Sequence, residues 1–293
     1  MQTLEEYLQQ HYSPTSLPNY RYGINHYLAW MGDQAKKALY KDVLSYIGYL
    51  RTRQLHPKTL RNYLFSVKIY YYWLVATGQR ADHPCRDLVL QDRINRSIAV
   101  ENLYTMEDMI RFYEQYEPKC SYLQQRGRVI IGLLLNQALT TLEISKLDTG
   151  SIDLEKGIIR IRGGKKSRSR TLPLKAAQVM QLYQYIKQVR KELLSRNNNP
   201  THEDQNALIL SQTGTKIKHS SISRIINQGR PVHKKMLPFK IRQSVIAHLL
   251  HNNHDLRIVQ EFAGHRRAAS TEEYRQTGLE RLKTEIQRHH PMQ

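Results

Sequence analysis

Apolar residues return at three- and four-residue steps through the first part of the chain. Tyr20, Ile24, Tyr27, Leu28 and Met31 form one stripe, and Val43, Tyr46, Ile47 and Leu50 form a second. A third runs through Leu60, Tyr63, Leu64, Val67, Tyr71 and Leu74, with Lys58, Arg61 and Lys68 lying off it. This is the helical period. Pro57 suits the first turn of the third helix and Gly78 its end. The pattern predicts a small bundle of about four helices, over residues 1–90. Residues 91–104 show no clear period and read as a linker. The helical period resumes at "TMEDMIRFYEQY", where Thr105 can cap and Glu107 and Asp108 suit the positive end of a helix. Residues 105–293 then form a second domain.

The middle of the chain changes period. "GIIRIRGGKKSRSRTLPL", residues 157–174, alternates apolar and basic positions, turns at Gly163-Gly164 and alternates again. That is a β-hairpin pattern. Its cations are Arg160, Arg162, Lys165, Lys166, Arg168 and Arg170, more than an edge strand needs to deter aggregation. "AAQVMQLYQYIKQVRKELL" predicts an amphipathic helix, "ALILS" a short buried strand and "SSISRIINQ" a helix opened by serine. "LPFKIRQSVIAHLLHNNHDLRIVQEFAGH" predicts two helices, and "TEEYRQTGLERLKTEIQRHH" a polar helical tail. The fold class that follows is mainly α with a small antiparallel β-sheet.

Charge narrows the partner. The 45 Lys and Arg against 25 Asp and Glu give a net charge of +20. Such an excess costs self-repulsion, which a polyanion offsets, and nucleic acid is the natural one. Off-stripe Lys58, Arg61 and Lys68, with Arg160, Arg162 and Arg168 of the hairpin, are the candidate phosphate contacts. The longest apolar run, "VIIGLLL", is too short to span a bilayer. The start of the chain has neither a basic nor an apolar export region. Cys85 and Cys120, far apart, suit reduced thiols and a cytoplasmic location. His248, His251 and His254 step by three, but no cysteine or carboxylate set accompanies them, so a metal is not expected.

Five stretches, in this order, resemble the boxes of the tyrosine recombinases, the phage integrases and Xer-like resolvases. "PKTLRNYLFSVKIYYYWL" resembles the last long helix of their core-binding domain. "ALTTLEISKLDTGSID" resembles the first arginine box, and "IRIRGGKKSRSRTLPL" the hairpin with the catalytic lysine. "PFKIRQSVIAHLL" resembles the second, histidine-x-leucine-arginine box. "LRIVQEFAGHRRAASTEEYRQTGLERL" resembles the third, with a tyrosine nine residues after the histidine.

The resemblance implies a two-domain, C-shaped DNA clamp, with a helical core-binding domain and a tyrosine-recombinase catalytic domain. It implies cleavage and rejoining of double-stranded DNA through a 3′-phosphotyrosine, for a mobile element, by dimers on a site and tetramers in synapsis. No cofactor and no metal are implied. Tyr274 would be the nucleophile, Arg242 and His265 would hold the phosphate, and Lys165 or Lys166 would protonate the leaving oxygen. Two positions depart from the pattern. Phe239 stands where the second box has histidine, and Thr140 where the first has arginine. Thr140 and Glu143 instead form a capping-box pair. Arg128, Arg126, Arg160 or Arg162 could supply the absent guanidinium. The alternatives are a degenerate relative that binds DNA as an accessory or regulatory factor without cutting it, and a basic RNA-binding scaffold.

Overall fold

The computed structural model describes residues 2–93, 98, 102–118, 120–164 and 167–274. Lys165, Lys166 and the tail beyond Tyr274 lie outside the described residues. The chain divides into two compact units, Met1–Asn95 and Arg96–Gln293.

The first unit is built of α1 (Leu4–His11), α2 (Leu17–Met31), α3 (Tyr40–Thr52) and α4 (Pro57–Ala76). The stripes read from the sequence face inward: Ile24, Tyr27, Val43, Tyr46, Leu50, Val67, Tyr71 and Leu74 are fully buried. The buried tyrosines Tyr27, Tyr46 and Tyr71 find partners for their hydroxyls, as burial requires. Tyr27 and Tyr71 share a hydrogen bond of 2.6 Å, and Tyr71 donates to the Ala35 carbonyl at 2.9 Å. Gly23 allows α2 to approach α4, since a Cβ there would stand 2.4 Å from Ser66 Oγ. Beyond Gly78 the chain folds back onto this unit, burying Cys85, Leu88 and Leu90 in its core. Arg51 pairs with Asp92 at 2.8 Å, Arg61 donates to the Asp92 carbonyl and Lys68 to that of Arg86.

The second unit begins with α5 (Met106–Glu114), α6 (Gln124–Asn136) and α7 (Thr141–Ser145). The sheet follows, with β1 (Ile152–Asp153), β2 (Ile158–Ile161) and β3 (Arg170–Pro173). Its order is β1-β2-β3, antiparallel throughout, and Ile159 faces Leu172 while Ile161 faces Arg170. Then come α8 (Ala176–Gln184), a π-helical turn at Tyr185–Val189, α9 (Arg190–Ser195), α10 (His202–Asn206) and α11 (His219–Ile226). Two helices, α12 (Pro238–His251) and α13 (Leu256–Ala263), lead into a helical segment at 269–274. Apolar α6 is the axis of this core, with Val129 to Leu134 all buried.

The mainly helical fold with one small antiparallel sheet is as the sequence indicates. Two local expectations are corrected. "ALILS" is buried but is not a strand; it makes only single bridges, Asp148 with Ala207 and Leu210 with Lys216. An apolar run can fill a core without a strand running beside it. Helix α11 is not opened by serine: its N-cap is Lys218, and no side chain caps it.

Candidate active site

Capping chemistry fixes the first wall of the site. Thr140 Oγ1 accepts from the Glu143 amide at 3.1 Å, and the Thr140 amide and hydroxyl both donate to Glu143 Oε2, at 2.9 and 3.0 Å. This box starts α7 and turns the Glu143 carboxylate inward. Arg170, first residue of β3, meets it with two bonds: Nη1 to Oε1 at 2.7 Å and Nη2 to Oε2 at 3.3 Å. The two side chains are 5% and 8% exposed. Burial pushes the Glu143 carboxyl up, but Arg170, the Thr140 amide and the Arg242 charge more than reverse this and hold it below its ordinary range.

Arg242 enters from α12, whose Ile241 and Val245 face the core. Its guanidinium donates to the Ala138 carbonyl and to the Ala263 carbonyl, and lies 3.8 Å from Glu143 Oε2. Ala138 reaches that position with φ +48°, a left-handed conformation. Burial lowers the Arg242 pKa and the Glu143 carboxylate partly restores it. Arginine stays cationic under such a shift.

The third wall is the turn after α13. Gly264 caps that helix with φ +69°. A Cβ there would stand 2.5 Å from Arg170 Nη1, so the turn needs glycine for two reasons. The Gly264 carbonyl accepts from the Arg168 amide at 2.9 Å, and Ser167 bridges His265. The hairpin is thereby stitched to the histidine turn. His265 Nδ1 lies 2.9 Å from the hydroxyl of fully buried Thr271. Burial, then the charges of Arg242 and Arg170, push the His265 pKa down to about 4. Its ring is therefore neutral at neutral pH. The Tyr274 ring lies parallel to it, with centroids 6.2 Å apart and planes 18° apart. Burial raises the Tyr274 pKa, against the opposing pull of the Arg242 charge and a hydrogen bond with Gln243.

Tyr274, Arg242 and His265, expected together from their motifs, thus share one place, and Lys165 and Lys166 lie outside the described residues. Arg126 is placed elsewhere: it is buried on α6 and donates to the Leu210 carbonyl at 3.0 Å. Arg128 Nε is buried, and among the described residues no hydrogen bond or ion pair joins Arg126 or Arg128 to Glu143 or Arg242. Arg160 and Arg162 pair with Asp153 and Asp148 on the outside of the sheet, at 3.1 and 3.5 Å. Phe239, in the second-box histidine position, is 63% exposed. Of the candidate DNA contacts, Lys58, Arg61 and Arg168 are exposed, Lys68 is half-buried, and Arg160 and Arg162 are exposed.

Sequence reasoning named Arg170 only as one hairpin cation. The signal lay in the strand alternation, which puts residue 170 on the same face as Leu172, the buried one.

Residues 102–281 match the phage integrase family, and residues 1–79 match the N-terminal SAM-like domain of phage integrases. The tyrosine recombinase XerD of Oceanobacillus iheyensis is 24% identical over 288 residues, covering 95% of this chain and 93% of that protein. The tyrosine recombinase XerC of Pelotomaculum thermopropionicum is 25% identical over 299 residues, covering 97% and 94%. Two solved structures share the fold. The XerH site-specific recombinase bound to difH substrate in a pre-cleavage complex has a TM-score of 0.67 and 17% identity, covering 97% of this chain and 84% of that one. The integrase of transposon Tn1549 in complex with transposon right end DNA has a TM-score of 0.63 and 17% identity, covering 99% of each chain.

Proposed function

Because the chain belongs to the phage integrase family, we propose how its own residues carry out site-specific recombination of double-stranded DNA. The protein is a tyrosine-type site-specific recombinase, a DNA strand transferase. One observation carries the residue assignment: a half-buried tyrosine, a neutral histidine and an arginine lie together, with the Tyr274 and His265 ring centroids 6.2 Å apart and the Arg242 charge acting on both.

In this reading the Tyr274 hydroxyl oxygen attacks a phosphodiester phosphorus. A P–O bond to Tyr274 forms, the P–O5′ bond breaks, and a 3′-phosphotyrosine and a free 5′-hydroxyl result. The phenol gives its proton to water, and the 5′ oxygen takes one from Lys165, with Lys166 the neighbouring candidate, so the proton count closes. A phenol with a raised pKa is a weak nucleophile on its own and depends on positioning. Arg242 faces the charge that builds on the non-bridging oxygens. In the tautomer that accepts from Thr271 at Nδ1, the neutral His265 ring carries its proton on Nε2 and offers it to the same oxygens. The bond energy is kept in the phosphotyrosine, so the reverse attack by a 5′-hydroxyl rejoins DNA without ATP.

Lys58, Arg61, Lys68, Arg160, Arg162 and Arg168 are assigned to the DNA backbone. Residues 1–90 are assigned as the core-binding domain and residues 105–293 as the catalytic domain. Homo-oligomers form on DNA, two protomers on a site and four in synapsis. Supporting this, α5, α6, α12 and α13 leave an apolar groove of about 720 Å³ lined by Met109, Ile110, Leu135, Leu249 and Phe262. A neighbour's tail would fill it. Among the described residues no helix is long and apolar enough to cross a membrane, and the free cysteines fit a cytoplasmic site of action. A DNA-binding role without cleavage is not favoured, since recombinases match the chain along nearly its full length.

The test uses a duplex sequence that the protein selects from a random pool, nicked so that cleavage traps the covalent adduct. The parent chain should form a denaturant-resistant adduct, and Tyr274→Phe should bind equally and form none. An adduct with Tyr274→Phe would assign the nucleophile to another tyrosine.

A further inference from the structure

Glu143 is approached by both site arginines, and it does not treat them alike. Its two oxygens are taken by Arg170, at 2.7 and 3.3 Å, and by the Thr140 amide and hydroxyl, at 2.9 and 3.0 Å. Arg242 is held off at 3.8 Å and turns its bonds to the Ala138 and Ala263 carbonyls instead. Carbonyls are weaker partners for a guanidinium than a carboxylate is, and a charged phosphate oxygen can displace or supplement them. A carboxylate bound bidentately by Arg242 would compete with the phosphate directly.

The surroundings hold Arg170 to this task. It leaves β3 on the buried face, and Gly264 gives it room. Arg170 Nη2 and Thr140 Oγ1 reach the same carboxylate oxygen. The Arg170 guanidinium therefore stands beside the residue that replaces the first-box arginine.

We propose that Arg170 is a positioning residue that acts through Glu143: it occupies the carboxylate and so leaves the Arg242 guanidinium for the scissile phosphate. The assignment rests on the recombinase reading above. Removing Arg170 would turn Glu143 toward Arg242 and place an uncompensated negative charge beside the phosphate. Removing the Glu143 charge as well would lift that block. A role as a direct phosphate clamp makes the opposite forecast, because a second loss could not restore a missing donor.

The experiment measures adduct formation on the nicked, selected duplex by the parent, Arg170→Met, and Arg170→Met/Glu143→Gln. Circular dichroism confirms folding, and anisotropy confirms DNA binding. The single variant should cleave at least about 10²-fold more slowly, the loss expected when one preorganised donor is withdrawn. Its rate should rise on the acid side, as Glu143 takes up a proton; a merely structural role would not give that profile. The double variant should come within about tenfold of the parent, with no acid-side rise. Should Arg170→Met not fold, Arg170→Lys replaces it. Lysine keeps the charge but offers no fork, so a smaller loss, again recovered by Glu143→Gln, is expected. A folded single variant that cleaves like the parent overturns the proposal. A folded double variant as slow as the single overturns it too, and makes Arg170 a phosphate contact. A parent chain that binds the duplex and forms no adduct overturns the recombinase reading, and the assignment with it.

Discussion

Replacing Glu143 by glutamine preserves the side-chain volume and an acceptor for the Thr140 amide, but removes the charge between two guanidinium groups. Arg170 lies 2.7 Å from the carboxylate and both side chains are almost fully buried. Arg242 lies 3.8 Å away with 11% of its side chain exposed. Removing one partner of a buried pair costs about 3–5 kcal/mol, because the remaining charge loses its compensation in a poorly solvated place. Glutamine keeps one acceptor oxygen, which sets the expectation at the lower end, about 3 kcal/mol. Urea unfolding can localise the loss. The only tryptophans of the chain, Trp30 and Trp73, are both in the first unit, so their fluorescence follows that unit, whereas far-UV circular dichroism follows both. With a slope of about 2–3 kcal/mol per molar urea, the dichroism transition of the second unit should move down by about 1 M. The tryptophan transition should stay where it is. A dichroism shift below about 0.3 M would refute the reasoning, by the same slope. So would an equal shift in fluorescence, which would mean that the effect is not confined to the unit holding the pair.

Three further outcomes are expected. His265 takes a proton at about pH 4 when folded and at about 6.5 when unfolded, so its contribution is complete above pH 6.5 and is lost as pH falls toward 4. Between pH 7.5 and 5 that loss is at most about 2 kcal/mol, and partial exposure trims it to about 1; dichroism midpoints of parent and His265→Asn should diverge by that amount, and parallel curves would refute it. Gly264→Ala meets both a φ of +69° and Arg170 Nη1 at 2.5 Å, so it should cost about 2–3 kcal/mol from left-handed strain and the displaced ion pair, and a loss below about 1 kcal/mol by urea titration would show that the turn has another way to relax. Duplex binding by anisotropy should weaken on the order of 10³-fold between 50 and 200 mM salt if about six phosphates are neutralised, and a flat response would remove the backbone-contact assignment.

Much of this protein is written locally. The stripes of α2, α3 and α4, the end of α4 before Gly78, the capping boxes at Thr105 and Thr140 and the hairpin at 157–174 all follow from side chains within a turn or a pleat of one another. Such patterns are legible because period and capping depend on near neighbours alone. The motif spacing likewise brought Arg242, His265 and Tyr274 into view. Tertiary structure decided what those residues meet. Arg242 is held by carbonyls 104 and 21 positions away, and Glu143 is claimed by an arginine 27 positions on. Proximity along the chain pointed to Arg126 and Arg128 for the absent guanidinium, yet Arg126 turns to the Leu210 carbonyl. The run "ALILS" announced its burial but not that it would lack a neighbouring strand. A sequence records which face of an element is apolar; which charged group stands opposite that face is settled only when separate elements pack, and burial there decides which pairs form and which protons are held.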